Sequence, residues 1–148
     1  MVSRGKRDEA RQLIAKLLAG EISNDDFDNA YPDDRMDPAL GAIYDRLWFF
    51  WDARYTHTLT GRHSLTDEAK VLFERCIAFL DSDLEYRWPP RIFAAGFSLL
   101  LLRAFRFRKK AEAVERAQTE SLRSIGDVDV WPFLNQTEYV SVTNGNPS

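Results

Sequence analysis

Nowhere in this 148-residue chain do apolar and polar residues alternate well enough to build a sheet, whereas five segments carry apolar residues at helical spacing behind cap signals. That pattern predicts an all-α protein: a single-domain helical bundle with a long C-terminal helix and an extended C-terminal segment. Apolar residues make up 45% of the sequence, which excludes a disordered chain, and the length suits one domain with a sizeable core. No internal repeat is present. The expected domain covers residues 1–141, and residues 142–148, with nothing to bury, are expected to form a flexible tail.

The first helix is expected from about Asp8 to Ala19, with Leu13, Ile14, Leu17 and Leu18 as its stripe and Gly20 as its stop. Ser23 or Asn24 caps a short acidic helix holding Phe27 and Tyr31, which Pro32 ends. Asp37-Pro38 places Asp at an N-cap and Pro at the first helical position. The helix that follows carries Leu40, Ile43, Tyr44, Leu47, Trp48 and Trp51 and is expected to run to near Arg54. After a polar loop with Gly61, Thr66 caps a helix reaching Leu84, with Asp67 and Glu68 favourably placed in its first turn. Pro89-Pro90 is a hard break. From Arg91 to about Ser124 the pattern predicts the long helix, apolar in its first half, basic from Arg103 to Lys110 and closed by Gly126. Val128, Val130, Trp131, Pro132 and Phe133 read as an extended segment lying back on the helices.

Between Glu21 and Asp52 nine acidic residues face two basic ones, Arg35 and Arg46, so this stretch carries minus seven in a chain whose total is minus three. The acids are interleaved with Ile22, Phe27, Tyr31, Leu40, Ile43, Tyr44, Leu47 and Trp48, so the segment must fold while presenting carboxylates. Such a face is either a solvated surface or a docking site for a basic protein, since it would steer encounter and its aromatic edge would anchor the complex.

The remaining constellations are weak. His57 and His63 flank a loop, but no further ligands stand at zinc spacing, so no metal is expected. Cys76 is the only cysteine; it sits in an apolar helical pattern, reads as a small buried hydrophobe, and fits a reducing cytoplasm. Asp81, Asp83 and Glu85 lack the glycine of a calcium loop, and carboxylates at a helix C-terminus oppose its dipole, a small cost that hints at a partner. No glycine-rich phosphate loop and no nucleophile–base signature point to an enzyme. The run containing Arg103, Arg106, Arg108, Lys109 and Lys110 is the best nucleic-acid candidate. Glu112, Glu115 and Glu120 make a solvated helix face the simpler reading, with contact to anionic lipid third. The acidic total argues against stable nucleic-acid binding. The longest apolar run, Ile92 to Leu102, falls short of the roughly 20 residues a bilayer span needs, so no transmembrane segment is expected.

The stretch from Leu13 to Tyr31 has an apolar first helix, then Gly20-Glu21-Ile22-Ser23, then the acidic helix with Phe27 and Tyr31. Together with the helix of Leu40, Ile43 and Leu47 and the helix from Glu68 to Leu84, it resembles the bacterial self-protective colicin-like immunity proteins, the group that includes the colicin D immunity protein. The resemblance covers roughly residues 8–86. Residues 91–141, with the Pro89-Pro90 break before them, the basic helix and Trp131-Pro132-Phe133, form an extension without a counterpart.

The resemblance implies a small helical protein of the cytoplasm that binds and blocks a toxin domain, often a basic RNA-cleaving one, without catalysis or cofactor. It assigns a role to the acidic helix as a group. Asp25, Asp26, Asp28, Asp33 and Asp34 are the expected steering residues, and Phe27 and Tyr31 are either anchors or core. The rival reading is a non-enzymatic helical regulator or scaffold touching nucleic acid through the basic run. Oligomeric state is open.

Overall fold

The computed structural model describes residues 1–89, 116–117 and 119–145, and every regular element among them is helical. The elements are α1 (Arg4–Leu18), α2 (Asn24–Ala30), α3 (Pro38–Leu47), α4 (Asp67–Asp81) and α5 (Gln136–Asn144), with 3-10 turns at Trp48–Phe50, Gly61–His63 and Val128–Val130. All-α is therefore correct. The long C-terminal helix is not borne out as the last element: α5 has nine residues. Most of the helix expected from Arg91 to Ser124 lies outside the described residues, and of its end residues 119–123 are helical.

α4 is the centre, touching α1, α3 and α5, with α2 laid on α1. One cluster joins Ile14 and Leu17 of α1, Phe27 of α2, Leu40, Ile43 and Leu47 of α3, Phe73, Cys76, Phe79 and Leu80 of α4, and the later Tyr86, Trp88, Trp131 and Phe133. The buried stripe of α1 is Arg7, Ala10, Ile14 and Leu17, a helical spacing whose first member is a cation. α1 begins at Arg4 rather than Asp8 because its first turn is bonded to distant backbone. Arg4 donates to the Leu80 carbonyl and, at 3.0 Å, to that of Ser82. Arg7 donates to Ser82 O at 3.0 Å and Leu84 O at 2.9 Å.

The same bonds explain why α4 stops at Asp81 instead of Leu84. Two guanidinium groups take the carbonyls past the helix end, where cations suit the dipole. Cations of α1 also answer the acidic run at the end of α4: Asp81 lies 3.4 Å from Arg11 and Asp83 3.4 Å from Arg4. The partner those carboxylates hint at is α1 itself.

Arg7 is fully buried, and its charge is met by Asp37, 1% exposed, through bonds of 2.6 and 3.1 Å. Asp37 also caps α3 at Ala39 N and accepts from Ser3 N. Burial alone would raise its pKa, but the Arg7 and backbone bonds outweigh that and hold the carboxyl below the usual range. α3 ends at Leu47, not Arg54. The chain tightens through Trp48–Phe50 and turns extended at Trp51, so that neighbouring rings reach different partners: Phe50 meets Phe73 edge-on at 5.7 Å and Trp51 meets Phe27 at 5.5 Å.

Gly20 has φ 73°, and the bonds Gly20 N to Leu17 O and Glu21 N to Lys16 O close α1 in a Schellman motif. A Cβ at Gly20 would also meet Thr60 Cγ2 at 2.5 Å, so the 52–66 loop packs against this turn.

Residues 128–133 do lie back on the helices, but not extended as expected. They form a 3-10 turn capped by Asp127, then a cis Trp131–Pro132 bond. Phe133 is fully buried, edge-on to Phe79 at 5.3 Å, and its carbonyl accepts from Trp88 Nε1 at 3.2 Å. Trp131 Nε1 donates to Tyr86 Oη at 3.2 Å. The tail expected from Val142 is helical to Asn144, with Tyr139 and Val142 against the core. Asn135 caps Glu138 N, Glu138 accepts from Leu134 N, and Arg87 pairs with Glu138, which together fix α5.

Cys76 is fully buried, and burial pushes its thiol up to about 12. It should therefore resist thiol-reactive dyes at pH 7–8 in the folded protein and react at the rate of a free thiol in denaturant. Fast native labelling would show the core open at α4.

Candidate partner-binding face

α2 is short and held from several sides. Ser23 and Asp26 form a reciprocal capping box, with Asp26 accepting from Ser23 N at 3.0 Å and Ser23 Oγ at 2.7 Å. These bonds from Ser23 lower the pKa of exposed Asp26, so it is an anion at neutral pH. Asp28 accepts from Tyr44 Oη at 3.1 Å; burial raises its pKa against that bond, and Asp25 adds to the rise. Tyr44 is pushed up to about 12, by burial first and then by Asp28. Asp25 accepts from Thr56 Oγ1.

The predicted site residues thus divide. Asp25, Asp26 and Asp28 are brought together on α2, each with an internal partner. Asp33 is exposed and makes no hydrogen bond among the described residues. Asp34 is bonded to Ser3 Oγ and, at 2.8 Å, to Met36 N, with Ser3 the main cause of its lowered pKa. Phe27 is fully buried between Tyr31, Tyr44 and Trp51, so it is core and not an anchor. Tyr31 is half-buried and donates to Leu40 O at 3.0 Å, and burial raises its phenol well above the ordinary value. Of the nine acids, Asp37 belongs to the core. The alternative nucleic-acid contact of Arg103, Arg106, Arg108, Lys109 and Lys110 lies outside the described residues.

Sequence reasoning missed Asn24. It is fully buried, and its carboxamide spans the loop after α3: Nδ2 donates to Tyr55 O at 3.0 Å and Oδ1 accepts from His57 N at 2.8 Å. Its own N–H donates to His57 O at 2.9 Å. Asn24 stands beside Ser23, and both residue types cap helices, so the sequence offers no sign that one caps while the other clamps. Asp52 in the same loop accepts twice from Arg54, at 2.9 and 2.8 Å, which lowers its pKa to about 2.

The face presents fixed negative charge on a braced helix. Among the described residues no group of three or more His, Cys, Asp or Glu is placed to hold a metal, and no helix is long and apolar enough to cross a membrane. Comparison with protein-family models, with curated proteins and with solved structures finds no match.

Proposed function

We propose that this chain is a toxin-neutralising protein, of the kind its resemblance to colicin-like immunity proteins implies, and that α2 and its flanks dock on a basic, nucleic-acid-cleaving toxin domain. The observation that carries the reading is the bracing of α2: a seven-residue helix with Asp25 and Asp26 in its first turn is clamped by Asn24, Thr56 and Tyr44, so its carboxylates are held at fixed positions. Pre-set charge lowers the cost of ordering on binding and steers a basic partner. Anchoring falls to rings other than Phe27. Such a protein works in the cytoplasm of the cell that makes the toxin, and no catalysis or cofactor enters the mechanism.

The test is co-expression with a basic nuclease domain encoded immediately upstream, followed by association kinetics at several salt concentrations. Reversing Asp26 would also unmake its capping box, so the informative variant is Glu21→Lys with Asp33→Lys, two exposed acids whose side chains make no bonds among the described residues. Steering charge changes on-rates by about 10- to 1,000-fold. The double reversal should slow association at least about tenfold at low salt and flatten the salt dependence, with an unchanged melting curve. Failure of the wild type to rescue growth excludes immunity to that toxin. Rescue with equal association rates removes the acidic face from the mechanism.

A further inference from the structure

His57 and His63 are stacked, ring centroids 4.0 Å apart and planes 26° from parallel. Their hydrogen bonds assign the protons. His57 Nδ1 lies 2.7 Å from the Tyr55 carbonyl, which can only accept, so Nδ1 carries the hydrogen. Among the described residues His57 Nε2 is buried without a hydrogen-bond partner. His63 Nε2 lies 3.1 Å from Arg62 Nε, which can only donate, so this nitrogen is a lone pair. The His63 ring is therefore neutral in this arrangement. A proton on His63 would break the Arg62 bond and set a second cation beside the guanidinium.

The stack sits where the loop is tied down. Tyr55 O, His57 N and His57 O are the atoms Asn24 holds, Thr56 bonds Asp25, Leu59 is 6% exposed, and Thr60 packs on Gly20. The charged groups reaching the pair are Arg62 from the loop, Asp52 from the turn after α3, and Asp25 on α2 through Thr56. The end of α1 contributes Gly20, which has no side chain. Asp52 alone favours protonation directly, and Arg54 already occupies both its oxygens.

We propose that the stacked His57–His63 pair is a pH-sensitive latch that holds residues 55–63 on α2 while His63 is neutral and releases them, with Asn24, when His63 is protonated. The inference concerns the folding of this corner and holds whatever binds the acidic face. Desolvation first, then His57 and Arg62, push the His63 pKa below its ordinary value. A depressed folded-state pKa means the closed form binds fewer protons than the open form. The closed loop is then fully stable above the open-state value of about 6.5 and loses stability as pH falls from there through the closed-state value.

Hydrogen exchange of the Asn24 and His57 amides, corrected for the intrinsic pH dependence, reads the opening equilibrium directly. A depressed closed-state pKa makes opening more favourable as pH falls, so opening should rise by more than about threefold between pH 7.5 and 5.0. The amides of Ile14 and Phe73 should not follow. His63→Phe keeps a flat ring over His57 and cannot titrate, so its rise should stay under about threefold, since the ring that carries the linkage is gone. A wild-type opening equilibrium that is flat with pH overturns the latch, as does a His63→Phe rise of threefold or more. If His63→Phe does not fold, the wild-type exchange decides together with the imidazole titration of His63: a value at or above the ordinary one removes the proposal.

Discussion

Replacing Asp37 by Asn should cost about 3–5 kcal/mol, the range for stripping one partner from a buried ion pair. Arg7 would keep its bonds to Ser82 O and Leu84 O but lose the one carboxylate bonded to it among the described residues, where its side chain is fully buried. At about 2–4 °C per kcal/mol for a chain of this size, the melting temperature should fall by roughly 6–20 °C. The pair also sets an acid limit. Its folded-state pKa is depressed, so its contribution is complete above about pH 4 and is lost as pH falls through the folded value. Wild type should therefore lose stability on acidification below about pH 4 more steeply than Asp37→Asn. Urea midpoints measured from pH 7 to pH 2.5 check both points. A variant within 1 kcal/mol of wild type at pH 7 would mean that the Arg7 guanidinium finds water or another anion.

Phe133→Ala should be comparably damaging, at about 3–5 kcal/mol for a fully buried ring. The ring touches Phe79 and Tyr139, and the strand of backbone it anchors supplies the carbonyl for Trp88 Nε1. The loss should appear as a lower urea midpoint and as altered Trp fluorescence, because Trp88 and Trp131 both lie in this contact. Val140→Ala on the outer face of α5, where Val140 is 45% exposed, should stay within about 0.5 kcal/mol. Equal losses in the two variants would show that α5 melts as a whole and that Phe133 has no special part in the core.

The two predictions concern contacts that the sequence signals unevenly. Capping chemistry is local, so Ser23, Asp37-Pro38, Thr66 and Gly20 announce their elements from a few neighbouring residues, and all are in place. Asn135 with Glu138 is the same kind of signal and marks α5, but a polar stretch with few apolar residues masks it. Arg7 gives no such sign. Its burial depends on an acid 30 residues away and carbonyls 75 and 77 residues away, and no periodicity encodes that. The acidic face was visible as charge, whereas its division into capped, clamped and free carboxylates was not. Thr56, Tyr44 and Ser3 choose their acids through the fold. Phe27 illustrates the limit: a ring on a short amphipathic helix is core or anchor according to what packs above it, and here Trp51 does.

The clasp between residues 79–88 and 131–133 also orders events during synthesis. Trp88 must wait 45 residues for the carbonyl that receives its indole N–H, and Tyr86 waits as long for Trp131. Until then the nascent protein carries Phe79, Tyr86 and Trp88 without their covering rings, the kind of surface that chaperones hold and that aggregates form around. A premature stop before Asp127 would freeze the chain at that stage and mark it for degradation. The abundance of such a product in a cell would then be governed by proteases and not by its remaining helices.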